Sequence, residues 1–269
     1  MINIRKVNDK LNVWFEYDTD TVNKIKTIPG RKYNPSNKSW DMPLQAIHKL
    51  KNMFEPICLS IAEDVDQEYV TPKYDFKTEL DTIGYKPLKI FTEWCLEQLP
   101  DYFYEVAASS SGKYHPAYTQ GEGGLVRHTQ AAVRIANELF KNDTVQNFDD
   151  LEKDIIRVSL LLHDGVKHGI DGSAHTVASH PLEVVKYLED RYFEVPEESL
   201  PDEVIEIMEV DIWYQITECI KSHMGAWCYD YKTNEKILPT PETEIQKFVH
   251  LCDYLSSRKC LEFNFSVEG

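Results

Sequence analysis

The stretch Leu160-Leu161-Leu162-His163-Asp164-Gly165-Val166-Lys167 decides how the rest of the chain is read. It closes a run from Leu151 to His163 that also holds Ile155, Ile156 and Val158. A helix that is apolar on nearly every face belongs at the centre of a helical bundle rather than on its surface. A histidine and an aspartate at the end of such a helix are costly to bury unless something compensates them, and a metal ion does so.

Outward from this centre the patterning stays helical. Apolar spacing predicts helices over Leu88 to Leu99, Leu125 to Phe140 and Pro181 to Tyr192, the last with proline in its first turn. It predicts a long helix from Val204 to Met224 stopped by Gly225, and another that starts at Thr240-Pro241-Glu242 and runs to about Phe263. A glycine-containing loop spans Ala107 to Gly124.

The first 56 residues read differently. Asn12 to Tyr17 is rich in strand formers. Asp18 to Ile28 has helical spacing and stops at Pro29-Gly30. Asn34 to Lys38 reads as a turn, Ser39 to Met42 as a short strand and Leu44 to Phe54 as a second helix. The expected fold class is mainly α: a helical bundle over residues 81–269, preceded by a small α/β domain over 1–56. Residues 57–80 read as a connection with room for one strand.

Charge separates the two parts as well. The chain carries 29 Lys/Arg and 45 Asp/Glu, a net of −16. Residues 1–56 hold ten basic and six acidic residues, a net of +4, which leaves −20 for the remainder. So acidic a body repels a polyanion over most of its surface, and a nucleic-acid partner needs the basic segment, a local basic groove or bound metal. The six cysteines show no CxxC spacing and read as reduced thiols. The charged start, MINIRKVNDK, is unlike a signal peptide, and no apolar run is long enough to span a bilayer. A cytoplasmic protein without membrane attachment is expected.

Separate helical segments each carry a histidine or an aspartate: His128, His163-Asp164, His180, His223 and Asp253. A lone buried histidine is more often a hydrogen-bonded core residue than a ligand, and a lone aspartate more often a cap. The argument for ligation is the ensemble, and its mixed imidazole and carboxylate set suits Mn, Fe, Co, Ni, Mg or Zn. His175 competes with His180 but has loop-like neighbours. His168 and His175 read as exposed polar residues, and His48 and His250 as ordinary surface or packing residues.

The order H…HD…D formed by His128, His163-Asp164 and Asp253 resembles that of HD-domain metal-dependent phosphohydrolases. The flanks are closer still. Gly123-Gly124-Leu125-Val126-Arg127-His128-Thr129, Leu161-Leu162-His163-Asp164-Gly165-Val166-Lys167, Ser222-His223-Met224-Gly225 and His250-Leu251-Cys252-Asp253-Tyr254-Leu255 resemble the HD domain of YhaM-type 3′→5′ exoribonucleases, over about residues 85–262. Those enzymes typically read GGLLEHT, LLHDIGK, SHHG and HxADxLD. Here Gly165 sits two places before Lys167 instead of one, Met224 replaces the second histidine of SHHG, and no OB-fold nucleic-acid domain is visible.

The resemblance implies a dinuclear centre. His128, His163, Asp164 and Asp253 would hold one divalent ion, and Asp164 would bridge to a second held by His180 and His223. It implies catalytic work for Asp164, for Lys167 as a phosphate-contacting cation and for His115 in the loop before the first ligand, with Lys113 as a further phosphate contact. Lys167 can share a face with His163 if the helix continues.

Arg31-Lys32-Tyr33-Asn34-Pro35-Ser36-Asn37-Lys38-Ser39-Trp40 and the following Asp41-Met42-Pro43 resemble the HARP-type module attached to enzymes that handle branched DNA. The resemblance implies nucleic-acid contacts from Arg31, Lys32 and Lys38. For Trp40 a place in the core of the small unit is the better expectation, since large aromatics anchor small folds.

The leading functional expectation is hydrolysis of phosphoester bonds in nucleic acid. The alternatives are a phosphohydrolase of free (deoxy)nucleotides or cyclic nucleotides, a di-iron oxygenase on the same scaffold and a non-catalytic metal-binding protein.

Overall fold

The structure is a computed structural model. It describes the chain apart from residues 8–9, 27, 29–30, 44–45, 55–57, 63–73, 110–114, 143, 145, 174, 231–232, 264 and 266–269 and the side chains of 43, 48–49 and 51–52. It is mainly helical with one small five-stranded sheet. The chain divides into two compact units, Met1–Lys73 and Tyr74–Gly269.

The first unit is built on strands β1 (Ile2–Val7), β2 (Lys10–Phe15), β3 (Lys32–Asn34), β4 (Ser39–Pro43) and β5 (Leu59–Ile61), in the order β3-β4-β2-β1-β5. β1 pairs antiparallel with β2, which puts Ile4 opposite Val13, and parallel with β5. The period-two alternation sends Ile2, Ile4, Leu11, Val13 and Met42 to one face. There they form a core with Ile25 of α1 (Thr19–Ile25) and Ile47 and Leu50 of α2 (Ala46–Met53). Asp18 caps α1 by accepting from the Thr21 backbone N–H at 2.8 Å.

β5 falls in residues 57–80, read as a connection with room for one strand, and it completes the sheet, with Leu59 and Ile61 packed on the same core. One expectation needs correction: α1 ends at Ile25 rather than Ile28, although Ile28 remains buried beyond it. The predicted stop at Pro29-Gly30 and the start of the second helix at Leu44 lie outside the described residues. Trp40 packs against the core, as expected for a large aromatic in a small fold.

The second unit begins with a helical turn α3 (Lys77–Leu80) and continues through α4 (Lys86–Gln98), α5 (Gly124–Leu139), α6 (Asp150–Leu162) and α7 (His180–Glu194). It ends with α8 (Asp202–Glu209), α9 (Asp211–Ser222) and α10 (Glu244–Ser256). α6 is the central helix. Ile155, Ile156, Val158, Leu160, Leu161 and Leu162 are all buried, and α4, α5, α9 and α10 pack around it. Its start is fixed by a capping box between Asp149 and Glu152. Asp154 on α6 accepts from the backbone N–H groups of Gly84 and Tyr85 and pairs with Arg157 at 2.7 Å, which pins the entry into α4.

Three predicted elements differ. The helix expected from Val204 to Met224 is two helices, broken where Val210 adopts extended geometry (φ −115°, ψ 170°). The last helix starts at Glu244, because Thr243, not Thr240, forms the capping box with Gln246, and it stops at Ser256, well short of Phe263. α6 does not carry on through Lys167. His163 is its C-terminal cap, and residues 163–172 run on as turns.

Among the described residues no helix is long and apolar enough to cross a membrane.

Candidate metal centre

The elements that converge on the site each deliver one side chain from an end or an inner face. α5 brings His128 one turn after its start. That start depends on Gly123, which adopts φ +67° and lies where a Cβ would fall 2.2 Å from the Tyr74 ring. Arg127, next to His128, fastens the preceding loop by donating to the carbonyls of Tyr118, Gln120 and Glu122. The end of α6 supplies His163 and Asp164, the first residue of α7 is His180, the end of α9 gives His223, and the last turns of α10 give Asp253.

All six side chains meet. Three overlapping groups, His128/His163/Asp164, His163/His223/Asp253 and Asp164/His180/His223, each place their ligand atoms within 4.8 Å of one another. Asp164 stands between them with its two oxygens facing different histidines. Oδ2 lies 3.5 Å from His128 Nε2 and 3.3 Å from His163 Nε2. Oδ1 lies 2.9 Å from His180 Nε2 and 3.8 Å from His223 Nε2. Asp253 Oδ1 completes the first side at 3.0 Å from His128 Nε2 and 3.4 Å from His163 Nε2.

The proton positions follow from the outer contacts. Nδ1 of His163, His180 and His223 lies 2.7 Å from the carbonyl oxygens of Leu160, Val177 and Ile220 respectively, and a carbonyl can only accept. His128 Nδ1 meets Ser256 Oγ at 3.0 Å, and that hydroxyl already donates to the Asp253 carbonyl, so His128 Nδ1 donates as well. Every ring is therefore held as the Nδ1–H tautomer with the lone pair of Nε2 turned inward. Such outer hydrogen bonds orient metal-ligating histidines.

The inward atoms are acceptors facing acceptors. Nε2 of His128, His163 and His180 and Oδ1 of Asp164 are buried with no hydrogen-bond partner among the described residues. Four orphaned acceptors in one buried spot are strongly unfavourable unless a cation sits among them. The spacing also fits: ligand atoms each ~2.1 Å from one ion stand ~3.0–3.4 Å apart at octahedral or tetrahedral angles. The residues thus form a buried cluster able to bind a metal ion.

The electrostatics agree. Burial opposes charge on His163, but the carboxylates of Asp164 and Asp253 outweigh it and raise its pKa to about 10. A proton or a metal ion at His163 Nε2 meets the same demand from those carboxylates. Burial would also raise the Asp164 carboxyl, yet Lys167 and His163 hold it well below the usual carboxylate range. His128 and His163 do the same for Asp253. His223 is pushed down to about 3 by burial and by the neighbouring His163. Both aspartates are anionic and His223 is neutral at neutral pH, the states that ligation requires, while His163 without an ion holds a proton on Nε2 that ligation would displace.

Five of the six side chains are sealed from solvent, and Asp253, 19% exposed, marks the side from which the centre is reached. His115 and Lys167 are also there. The His115 ring centroid lies 6.1 Å from that of His128, and burial, helped by His128 and Lys167, lowers its pKa to about 4. The ring is therefore neutral at pH 7. Lys167 reaches the centre by a route other than the one expected. It does not share a helical face with His163, because the helix has ended. A turn closed by its N–H on the Asp164 carbonyl brings its ammonium onto Asp164 Oδ2.

Lys113 lies outside the described residues. Arg31, in the first unit, donates to the Ile28 carbonyl at 2.8 Å, while Lys32 and Lys38 are exposed there. His175 is exposed, as expected, but His168 is not. It is 8% exposed and stacked on Tyr102, which in turn donates to the Gly169 carbonyl. His250, read as an ordinary residue, binds the His223 carbonyl through Nδ1 at 2.6 Å and so supports a ligand. Ser256 was not singled out by its sequence context. Its only local signal is its place three residues after Asp253, on the same helical face.

No family model, no curated protein and no solved structure matches the chain.

Proposed function

We propose that the helical unit is a metal-dependent phosphohydrolase of the HD type, which hydrolyses phosphoester bonds of nucleic acid at a dinuclear centre. The observation that carries this reading is the two-sided Asp164. Its Oδ2 faces His128 and His163 while its Oδ1 faces His180 and His223, the disposition expected of a carboxylate bridging two ions. The ordered motif His128, His163-Asp164 and Asp253 supports the choice of phosphoester chemistry over other uses of the same ligand set.

When bound, divalent ions supply Lewis acidity toward a phosphoryl oxygen and lower the pKa of a coordinated water. The chain does the rest. The outer hydrogen bonds of the four histidines hold their ring planes before any substrate arrives. Asp253 and Lys167 stand at the exposed side, where a phosphoester enters. Lys167 keeps Asp164 anionic and adds positive charge beside an otherwise acidic site. His115 is a neutral imidazole on the same side and is suited to accept a hydrogen bond.

The test is metal analysis together with hydrolysis of bis-p-nitrophenyl phosphate in Mn²⁺, for the wild type and for Asp164→Ala. The reading expects bound metal and turnover in the wild type and neither in the variant. Full retention of both in the variant ends it.

A second reading, hydrolysis of free nucleotides, is favoured by the acidic balance of residues 57–269, which repels a polymer. A panel of oligonucleotides and nucleotides separates the two. Under the polymer reading, Lys32→Glu combined with Lys38→Glu weakens oligonucleotide turnover and spares the model substrate.

A further inference from the structure

Beside the metal centre stands a group of rings that the hydrolytic chemistry does not use. Trp227 is 53% exposed and lies stacked on Tyr254, with ring centroids 5.8 Å apart and planes 19° from parallel. The Arg258 guanidinium carbon sits 4.3 Å from the Tyr254 centroid. His250 adjoins both aromatics, with centroid distances of 6.4 Å to Trp227 and 6.3 Å to Tyr254.

Each member is tied to a segment that carries a ligand. Trp227 lies four residues after His223, and Tyr254 follows Asp253 directly. His250 is bonded to the His223 carbonyl. The chain can pass His250 only because residue 225 is glycine: it adopts φ +56°, and a Cβ there would stand 2.3 Å from the His250 ring. That turn is what presents Trp227 outward. Arg258 donates through Nε and Nη2 to Ser257 Oγ. Among the described residues no carboxylate lies within ion-pair distance of it.

We propose that Trp227, stacked on Tyr254, is a nucleobase platform and that Arg258 gives the adjoining phosphate its counter-charge. The substrate class is then a base-bearing phosphoester: a nucleotide or the end of a single strand. The physical basis is general. Every base has a π-face that stacks on an exposed indole, and such stacking strengthens binding ~10-fold or more per base. A guanidinium beside it favours phosphate by charge. This deepens the phosphohydrolase reading and rests on it for the chemistry, but the base contact can be measured without turnover.

The experiment is titration calorimetry on the full chain with AMP against ribose 5-phosphate, and with a single-stranded oligonucleotide against an abasic strand of equal length. The wild type is expected to bind each base-bearing ligand ~10-fold or more tightly than its base-free counterpart. Trp227→Ala should bring that ratio close to one, with far-UV circular dichroism and metal content unchanged, and Trp227→Phe should keep most of it. A wild-type ratio near one, or a ratio unaffected by Trp227→Ala, overturns the platform. Tighter binding of the strand than of AMP identifies a polymer end as the source of the base, and equal binding a free nucleotide; both uphold the platform. If no phosphoester is hydrolysed while the base preference and its loss in Trp227→Ala hold, the hydrolase reading fails and the platform stands.

Discussion

Two buried polar clusters in this chain look alike on paper and differ in one respect. In the first unit, Asn12 donates to Ser39 Oγ at 2.6 Å and to Asp41 Oδ1 at 2.9 Å, and Ser39 donates to Asn37. Donors there meet acceptors, and the cluster satisfies itself. In the second unit, His128, His163, His180 and Asp164 turn acceptors toward one another and leave them unpartnered among the described residues. A self-satisfied polar cluster serves the fold, whereas one that lacks a positive charge at its centre points to a ligand that carries it. The contrast locates function better than burial or residue type alone, since both clusters are buried and polar.

The largest effect that can break this contrast is removal of the shared carboxylate. Asp164→Ala should abolish metal retention, measured by plasma emission after gel filtration, while Asn12→Ala should leave it untouched. Equal metal content in the two variants would erase the distinction. Next in size is the metal's contribution to folding. At a free ion concentration about 100 times its Kd, a bound ion stabilises the fold by about 2.7 kcal/mol, so chelation should lower the midpoint of thermal unfolding. An unchanged midpoint after exhaustive chelation would mean that the centre binds nothing.

Ser256→Ala sharpens the comparison at the level of the outer contacts. It removes the acceptor that fixes the His128 tautomer and should weaken metal affinity ~10–100-fold, read by competition with a chromophoric chelator. Asn12→Ala probes the other cluster and should cost about 1–3 kcal/mol in urea unfolding, because Ser39 and Asp41 lose a buried donor.

The smallest effect concerns a third kind of buried polar group. Glu79 is buried and accepts from Arg134 Nε at 2.9 Å, yet its Oε2 has no partner among the described residues. Burial outweighs Arg134 and raises its pKa above the ordinary 4.5. A carboxyl whose folded pKa is raised adds stability that is full below the unfolded value and is lost as pH rises through the folded one. The wild type should therefore gain stability relative to Glu79→Gln as pH falls from neutrality toward 4.5. The opposite slope in paired unfolding curves would show that Arg134 dominates.

Much of the helical unit could be read in the sequence because its signals are local. The apolar run through Leu160-Leu161-Leu162 needs no knowledge of its neighbours to be placed at the centre, and α4, α5 and α7 show the same kind of periodicity. The break at Val210 carried no such signal. Neither glycine nor proline stands there, and Glu209-Val210-Asp211 reads as well in one helix as in two. The end of α10 failed for a related reason, since apolar residues continue past Ser256 to Leu261 and Phe263, which pack on the core without being helical. The one strand for which residues 57–80 have room cannot be located at Leu59–Ile61 from the sequence, because so short a segment is recognisable only through its pairing with β1.

The site divides along the same line. The sequence by itself determined which residue types stand at the helix ends, in what order, and that His163-Asp164 closes an all-apolar helix, since these are properties of neighbours along the chain. Only the tertiary structure decided that Asp164 turns one oxygen to each pair of histidines, that Ser256 holds the His128 ring and His250 the His223 backbone, that His168 is buried against Tyr102 and that Lys167 reaches Asp164 through a turn. Those facts depend on how helices distant in sequence approach one another, and approach is set by the packing of whole faces, which no local pattern encodes.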